Sequence, residues 1–205
     1  MPSSDRFIFI ENNHGRNVLL QNLKAEFPEQ ANKIDIIEED SNIYLTNWCK
    51  KTRWRSLRAV VFLDPYGMQV EWSTIEAIAA TKSIDMWYLF PNISRLLPSG
   101  GPPPQQWAEV LTRLLGTCRW ENVFYPIQQS STLFGNEEQQ SKDASIYKIR
   151  DFIVNRLRSL FPGVAEDPRI MRNSKGSPLF LLCFACANER GAPAALRIAQ
   201  YLLKE

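Results

Sequence analysis

The sequence predicts an α/β protein with a mostly parallel sheet that ends in a C-terminal antiparallel hairpin. Three observations carry this expectation. Short β-rich runs alternate with segments of helical apolar spacing through the first half of the chain, an order that implies parallel pairing through right-handed crossovers. The segment "RIMRNSKGSPLFLLCFACAN" sets two apolar runs around "NSKG", a hairpin signal. Finally, 205 residues of which 44% are hydrophobic are enough for one sizeable core, so residues 1–205 read as a single domain.

The elements follow in order. "RFIFIE" is a first strand, and "NVLLQNLKAEF" a helix with Val18, Leu19, Leu23 and Phe27 at helical spacing. "KIDIIEED" is a second strand, "NIYLTNWCKK" a second amphipathic helix and "RAVVFLD" a third strand. "WSTIEAIAATK" reads as helix and "IDMWYLFP" as a fourth strand stopped by Pro91. Residues 97–104, "LPSGGPPP", are a loop or hinge by composition. "QQWAEVLTRLLG" returns to helix. The polar stretch 126–144 carries no clear periodicity and is expected as a mobile insertion. "IYKIRDFIVNRLRSLF" aligns Ile146, Ile149, Ile153, Leu157 and Leu160 on one helical stripe. "APAALRIAQYLLK" closes the chain as a helix, with Pro193 in its first turn where a missing N–H costs little.

Composition excludes several classes. No apolar run approaches the roughly 20 residues of a membrane span, and the N-terminus lacks a signal-peptide pattern, so a cytoplasmic protein without membrane association is expected. A formal net charge of +2 leaves nucleic-acid binding to local clustering. "NWCKKTRWRSLR" is such a cluster: Lys50, Lys51, Arg53, Arg55 and Arg58 interleave with Trp48 and Trp54, a pattern suited to phosphates and stacked bases of a single strand. Such a cluster is more often a solvated helix end preceding a strand, with the tryptophans packed beneath. Cys183 and Cys186 have CxxC spacing inside a strand, where an odd separation points them to opposite faces. With His14 as the single histidine, no metal site is expected.

Ligands of open parallel sheets bind beyond the carboxyl ends of the strands, and three strands here end in acids: Glu11, the Glu38-Glu39-Asp40 run, and Asp64. An acid after the second strand of a nucleotide-binding unit is placed to accept hydrogen bonds from a ribose diol. Glu11, Asp40 and the adjacent Ser41 are therefore the candidate cofactor contacts. Each acid reads alternatively as a cap on the following helix. Asp64-Pro65-Tyr66 reads either as an acceptor site or as a turn completed by Gly67.

"FLDPYGM" resembles the (D/N)PP(Y/F) motif of amino-group methyltransferases of the class I S-adenosylmethionine-dependent fold, with one proline absent. The resemblance implies that Asp64 and the Pro65 carbonyl accept hydrogen bonds from an amine while Tyr66 stacks on the target base. Over most of its length the chain is similar to the three-Cys-motif partner family, through "FIFIENNHGRNVLLQNL", "RAVVFLDPYGMQVEWSTIEAIAATKSIDMWYLFP" and "RNSKGSPLFLLCFACANERGAPAALRIA". This implies a Rossmann-like class I methyltransferase-type sheet, S-adenosylmethionine as cofactor, amino-group methylation of nucleic acid, and a partner protein that carries the three cysteines. Homo-oligomers are also compatible with it. Arg95 resembles an arginine of the family's motif facing the acceptor cleft, or pairs with a surface acid.

The chain departs from that pattern at one place. Family members carry a glycine-rich segment of the type "DGFAGPG" before the strand equivalent to "FIFIE", and no GxG occurs here. The first strand, central in the family's sheet between the equivalents of "FIFIE" and "RAVVFLD", is accordingly expected to be missing. Either another polypeptide supplies it, or the cofactor site is degenerate and the protein is a catalytically inactive binding subunit.

Overall fold

The structure, a computed structural model, describes residues 5–132 and 135–204. It is an α/β protein with seven α-helices among the described residues and a mixed sheet. The chain divides into two compact units, Met1–Thr52 and Arg53–Glu205.

The smaller unit is two parallel strands joined by a helical crossover. Strand β1 (Phe7–Ile10) leads into helix α1 (His14–Glu26), and strand β2 (Ile34–Ile37) into helix α2 (Ser41–Lys51). β1 and β2 pair in register from Phe7 opposite Ile34 to Ile10 opposite Ile37 and make a two-stranded sheet of their own. The helix expected after β1 forms, but its stripe is not the buried one. Val18, Leu19 and Phe27 are exposed, and Asn17 is the buried residue of α1. Its Nδ2 donates to the Glu11 carbonyl at 2.6 Å and to the Asn13 carbonyl at 3.2 Å. The helix is thus held at its N-terminus by polar bonds that apolar spacing does not reveal.

In the larger unit, strand β3 (Ala59–Leu63) is followed by helix α3 (Trp72–Ala80) and strand β4 (Ile84–Pro91). Helices α4 (Gln105–Leu115) and α5 (Trp120–Phe124) precede a hairpin of strands β5 (Ile127–Thr132) and β6 (Gly135–Gln140). Helix α6 (Ile146–Arg158), short strand β7 (Gly163–Val164), strands β8 (Arg169–Arg172) and β9 (Pro178–Cys186), and helix α7 (Ala192–Lys204) complete it. The sheet order is β3-β4-β9-β7, with β8 also on β9. Only β3 and β4 are parallel; β4–β9, β7–β9 and β8–β9 are antiparallel.

The expectation of a mostly parallel sheet is therefore corrected to a mixed one. The hairpin does form: Asn173 Oδ1 accepts from the N–H groups of Lys175 and Ser177, and Gly176 supplies φ +76°. Its second strand, however, does not sit at an edge. β9 runs along β4 with Met86 opposite Ala185 and Pro91 opposite Phe180, so the antiparallel element occupies the middle of the sheet. The polar stretch around residue 130, which lacks the alternation of a half-buried strand, pairs as β5 and β6; residues 133–134 within it lie outside the described residues. The proline-rich loop is anchored by Tyr125, whose hydroxyl donates to the Pro98 carbonyl at 2.9 Å.

The core of the larger unit centres on β4, whose Ile84, Met86, Tyr88 and Phe90 share one face and are fully buried, as are Ile75 and Ile78 of α3 and Ile149, Ile153 and Leu157 of α6. On the other side of the sheet, Leu182, Phe184 and Cys186 pack under Ala199 and Leu203 of α7. No helix among the described residues is long and apolar enough to cross a membrane.

A second knot joins three helices. Arg156 of α6 lies over the Trp72 ring at 4.5 Å and donates from Nε to the Leu115 carbonyl and from Nη2 to the Gly116 carbonyl, at 3.0 and 3.2 Å. Gly116 ends α4 at φ +66°, and a Cβ there would stand 2.1 Å from Trp72 Cδ1. Gly116→Ala is expected to combine left-handed strain with overpacking and to lower stability by roughly 3 kcal/mol, read as a fall in the urea midpoint with unchanged slope.

Burial also sets an alkaline limit. It pushes the Cys183 thiol from 9.0 up to about 12 and the Cys49 thiol up to about 11, and raises the Tyr88 phenol, with the Cys183 charge adding to the last effect. Above the ordinary thiol value the unfolded chain releases protons that the folded chain still holds. Stability contributed by these groups is complete below about pH 9 and is lost as pH rises toward about 12. Denaturant titrations at increasing alkaline pH should show this fall, with a shallower slope in Cys183→Ala.

Candidate functional site

At the carboxyl end of β1 and β2, the acids singled out from sequence are already engaged. Glu11 Oε1 accepts from the Asn13 N–H at 2.8 Å, and Oε2 pairs with Arg16 at 3.3 Å. Its own N–H donates to the Ile37 carbonyl at 3.0 Å, tying the ends of the two strands together. Asn13 caps α1 through Oδ1 and the Arg16 N–H. Asp40 is the N-cap of α2: its Oδ1 accepts from Asn42 N–H at 2.8 Å and Ile43 N–H at 3.1 Å. Ser41 is the first residue of that helix. His14 Nδ1 lies 3.0 Å from Glu38 Oε2, a surface pair that joins the start of α1 to the end of β2.

A cofactor would find little free chemistry here. A nucleoside needs carboxylate oxygens for a ribose diol and a close backbone approach for its remaining groups. Both Glu11 oxygens and one Asp40 oxygen are bound to local donors. The residues present therefore do not make a complete cradle for S-adenosylmethionine.

The carboxyl end of β3 is built differently. Asp64 follows the last strand residue and is exposed; Pro65 is half-buried; Tyr66 is 76% exposed; Gly67 turns the chain at φ +71°. Val70 and Trp72 then return to the core and start α3. Because β4 is parallel to β3, its carboxyl end opens on the same edge of the sheet. There Asn92 is held by three bonds: its N–H donates to the Leu179 carbonyl, Nδ2 to the Pro178 carbonyl, and Oδ1 accepts from Ser94 N–H. Arg95, on the turn Ile93–Arg95, is exposed and makes no ion pair with any described residue.

Lys142 was not visible as a participant from sequence. Its Nζ donates to the carbonyls of Ser94 and Leu97, both at 2.6 Å, and so fixes the loop that presents Arg95. A single lysine in a polar stretch carries no pattern that could have announced this.

The basic cluster divides by role. Lys50 and Lys51 are exposed in the last turn of α2, where cations complement the helix dipole. Arg53 and Arg55 are exposed, and Trp54 is half-buried. Arg58 instead organises the entry to β3: Nη1 donates to the Leu57 carbonyl at 2.8 Å, to Ser83 Oγ at 3.0 Å and to the Trp54 carbonyl at 3.4 Å.

A scan against protein-family models gives no match, and searches of curated proteins and of solved structures give none either. The geometry alone assigns Asp40 a capping role, so Asp40→Ala should cost about 1 kcal/mol of stability. Asp64→Ala, at an exposed position with no cap to lose, should leave the thermal midpoint unchanged. Calorimetric melting of the two variants checks the contrast.

Proposed function

We propose that this chain is a methyltransferase-like protein of the three-Cys-motif partner type, with a Rossmann-like sheet, and that Asp64, Pro65 and Tyr66 receive an amino group of a nucleic-acid base. The observation that carries the reading is the placement of this tripeptide. It sets an exposed carboxylate, a proline carbonyl and an exposed aromatic ring on one turn beyond the carboxyl end of a parallel strand.

In this reading the Asp64 carboxylate and the Pro65 carbonyl accept the two hydrogens of an exocyclic amine. Pro65 fixes the direction of its carbonyl, and the Tyr66 ring stacks on the base. Lys50, Lys51, Arg53 and Arg55, with Trp54, draw the phosphate backbone of a single strand. The resemblance implies S-adenosylmethionine as methyl donor and amino-group methylation as the activity. A second reading, a binding subunit without catalysis that works with a three-Cys-motif protein, is favoured by the local engagement of Glu11 and Asp40. No transfer step is assigned to the chain on its own.

Calorimetric titration of the full chain with S-adenosylmethionine and S-adenosylhomocysteine, beside fluorescence anisotropy with a single-stranded oligonucleotide across a salt series, separates these readings. Oligonucleotide affinity is expected to fall linearly with salt on logarithmic axes and to drop about tenfold in Tyr66→Ala. Cofactor binding that vanishes in Glu11→Ala, with the fold intact by circular dichroism, supports the enzyme. Oligonucleotide binding without cofactor binding supports the subunit. Absence of both in a folded chain overturns the proposal.

A further inference from the structure

We draw no further inference here: the strongest candidate, the cleft between α6 and the segment after β7 lined by Asp151, Val154, Asn155, Arg158 and Glu166, is a cluster of surface charges already paired within the chain, Asp151 with Arg150 and Glu166 with Arg158, and nothing in the structure shows what would occupy it.

Discussion

Strand β4 is the constraint on which the larger unit depends. It pairs with β9 from Met86 to Pro91 on one edge and with a parallel neighbour, β3, from Ile84 to Tyr88 on the other. Its even-numbered side chains, Ile84 through Phe90, are fully buried. A shift of one residue would bring Asp85 and Trp87 into that layer, so burial fixes the register of both neighbours at once. The polar exception is also used: Asp85 Oδ1 accepts from the Ala187 N–H at 3.0 Å and holds the end of β9 in place. Through β9 the same register carries β7 and β8, and through the β3 pairing it sets where Asp64 emerges from the sheet.

Features that depend on neighbours in sequence were legible; those that depend on neighbours in space were not. The runs at Phe7–Ile10, Ile34–Ile37, Ala59–Leu63 and Ile84–Pro91 stand out because β-branched and aromatic residues cluster between polar breaks. The β8–β9 turn is written into Asn173 and Gly176, whose bonds and dihedral are local. The pairing of β9 with β4, by contrast, joins segments about a hundred residues apart, with α6 and α7 packed on β9. Periodicity cannot report that choice, and a mixed sheet resulted where a mostly parallel one was expected. For α1, apolar spacing pointed to Val18 and Leu19, while the buried contact is made by Asn17 through two backbone carbonyls.

The candidate site illustrates the same division. An acid after a strand can serve a ligand or the next helix, because both present N–H or O–H donors at the same end of the sheet. Residue type does not separate the two. What does is the distance along the chain to the next helix. After Glu11 and Asp40 a helix begins within a few residues, at His14 and Ser41: orphan N–H groups of α2 take up Asp40, and Glu11 accepts from the N–H of Asn13, the N-cap of α1, and pairs with Arg16. This spacing is readable in sequence once the helix starts are fixed, and it weighs toward capping.

Asp64 is the contrasting case, and the contrast is chemical. The residue after it is Pro65, which has no N–H to offer, and α3 begins only at Trp72. No helix terminus lies near enough in the chain to draw the carboxylate inward. The turn completed by Gly67 keeps Asp64 and Tyr66 at the surface, while Val70 and Trp72 anchor its far end in the core. The proline thus acts twice: it denies Asp64 a capping partner and stiffens the backbone that presents Tyr66. A carboxylate with no hydrogen bond or ion pair among the described residues, beside an exposed aromatic on a rigid turn, is what separates this end of the sheet from the acids of the smaller unit.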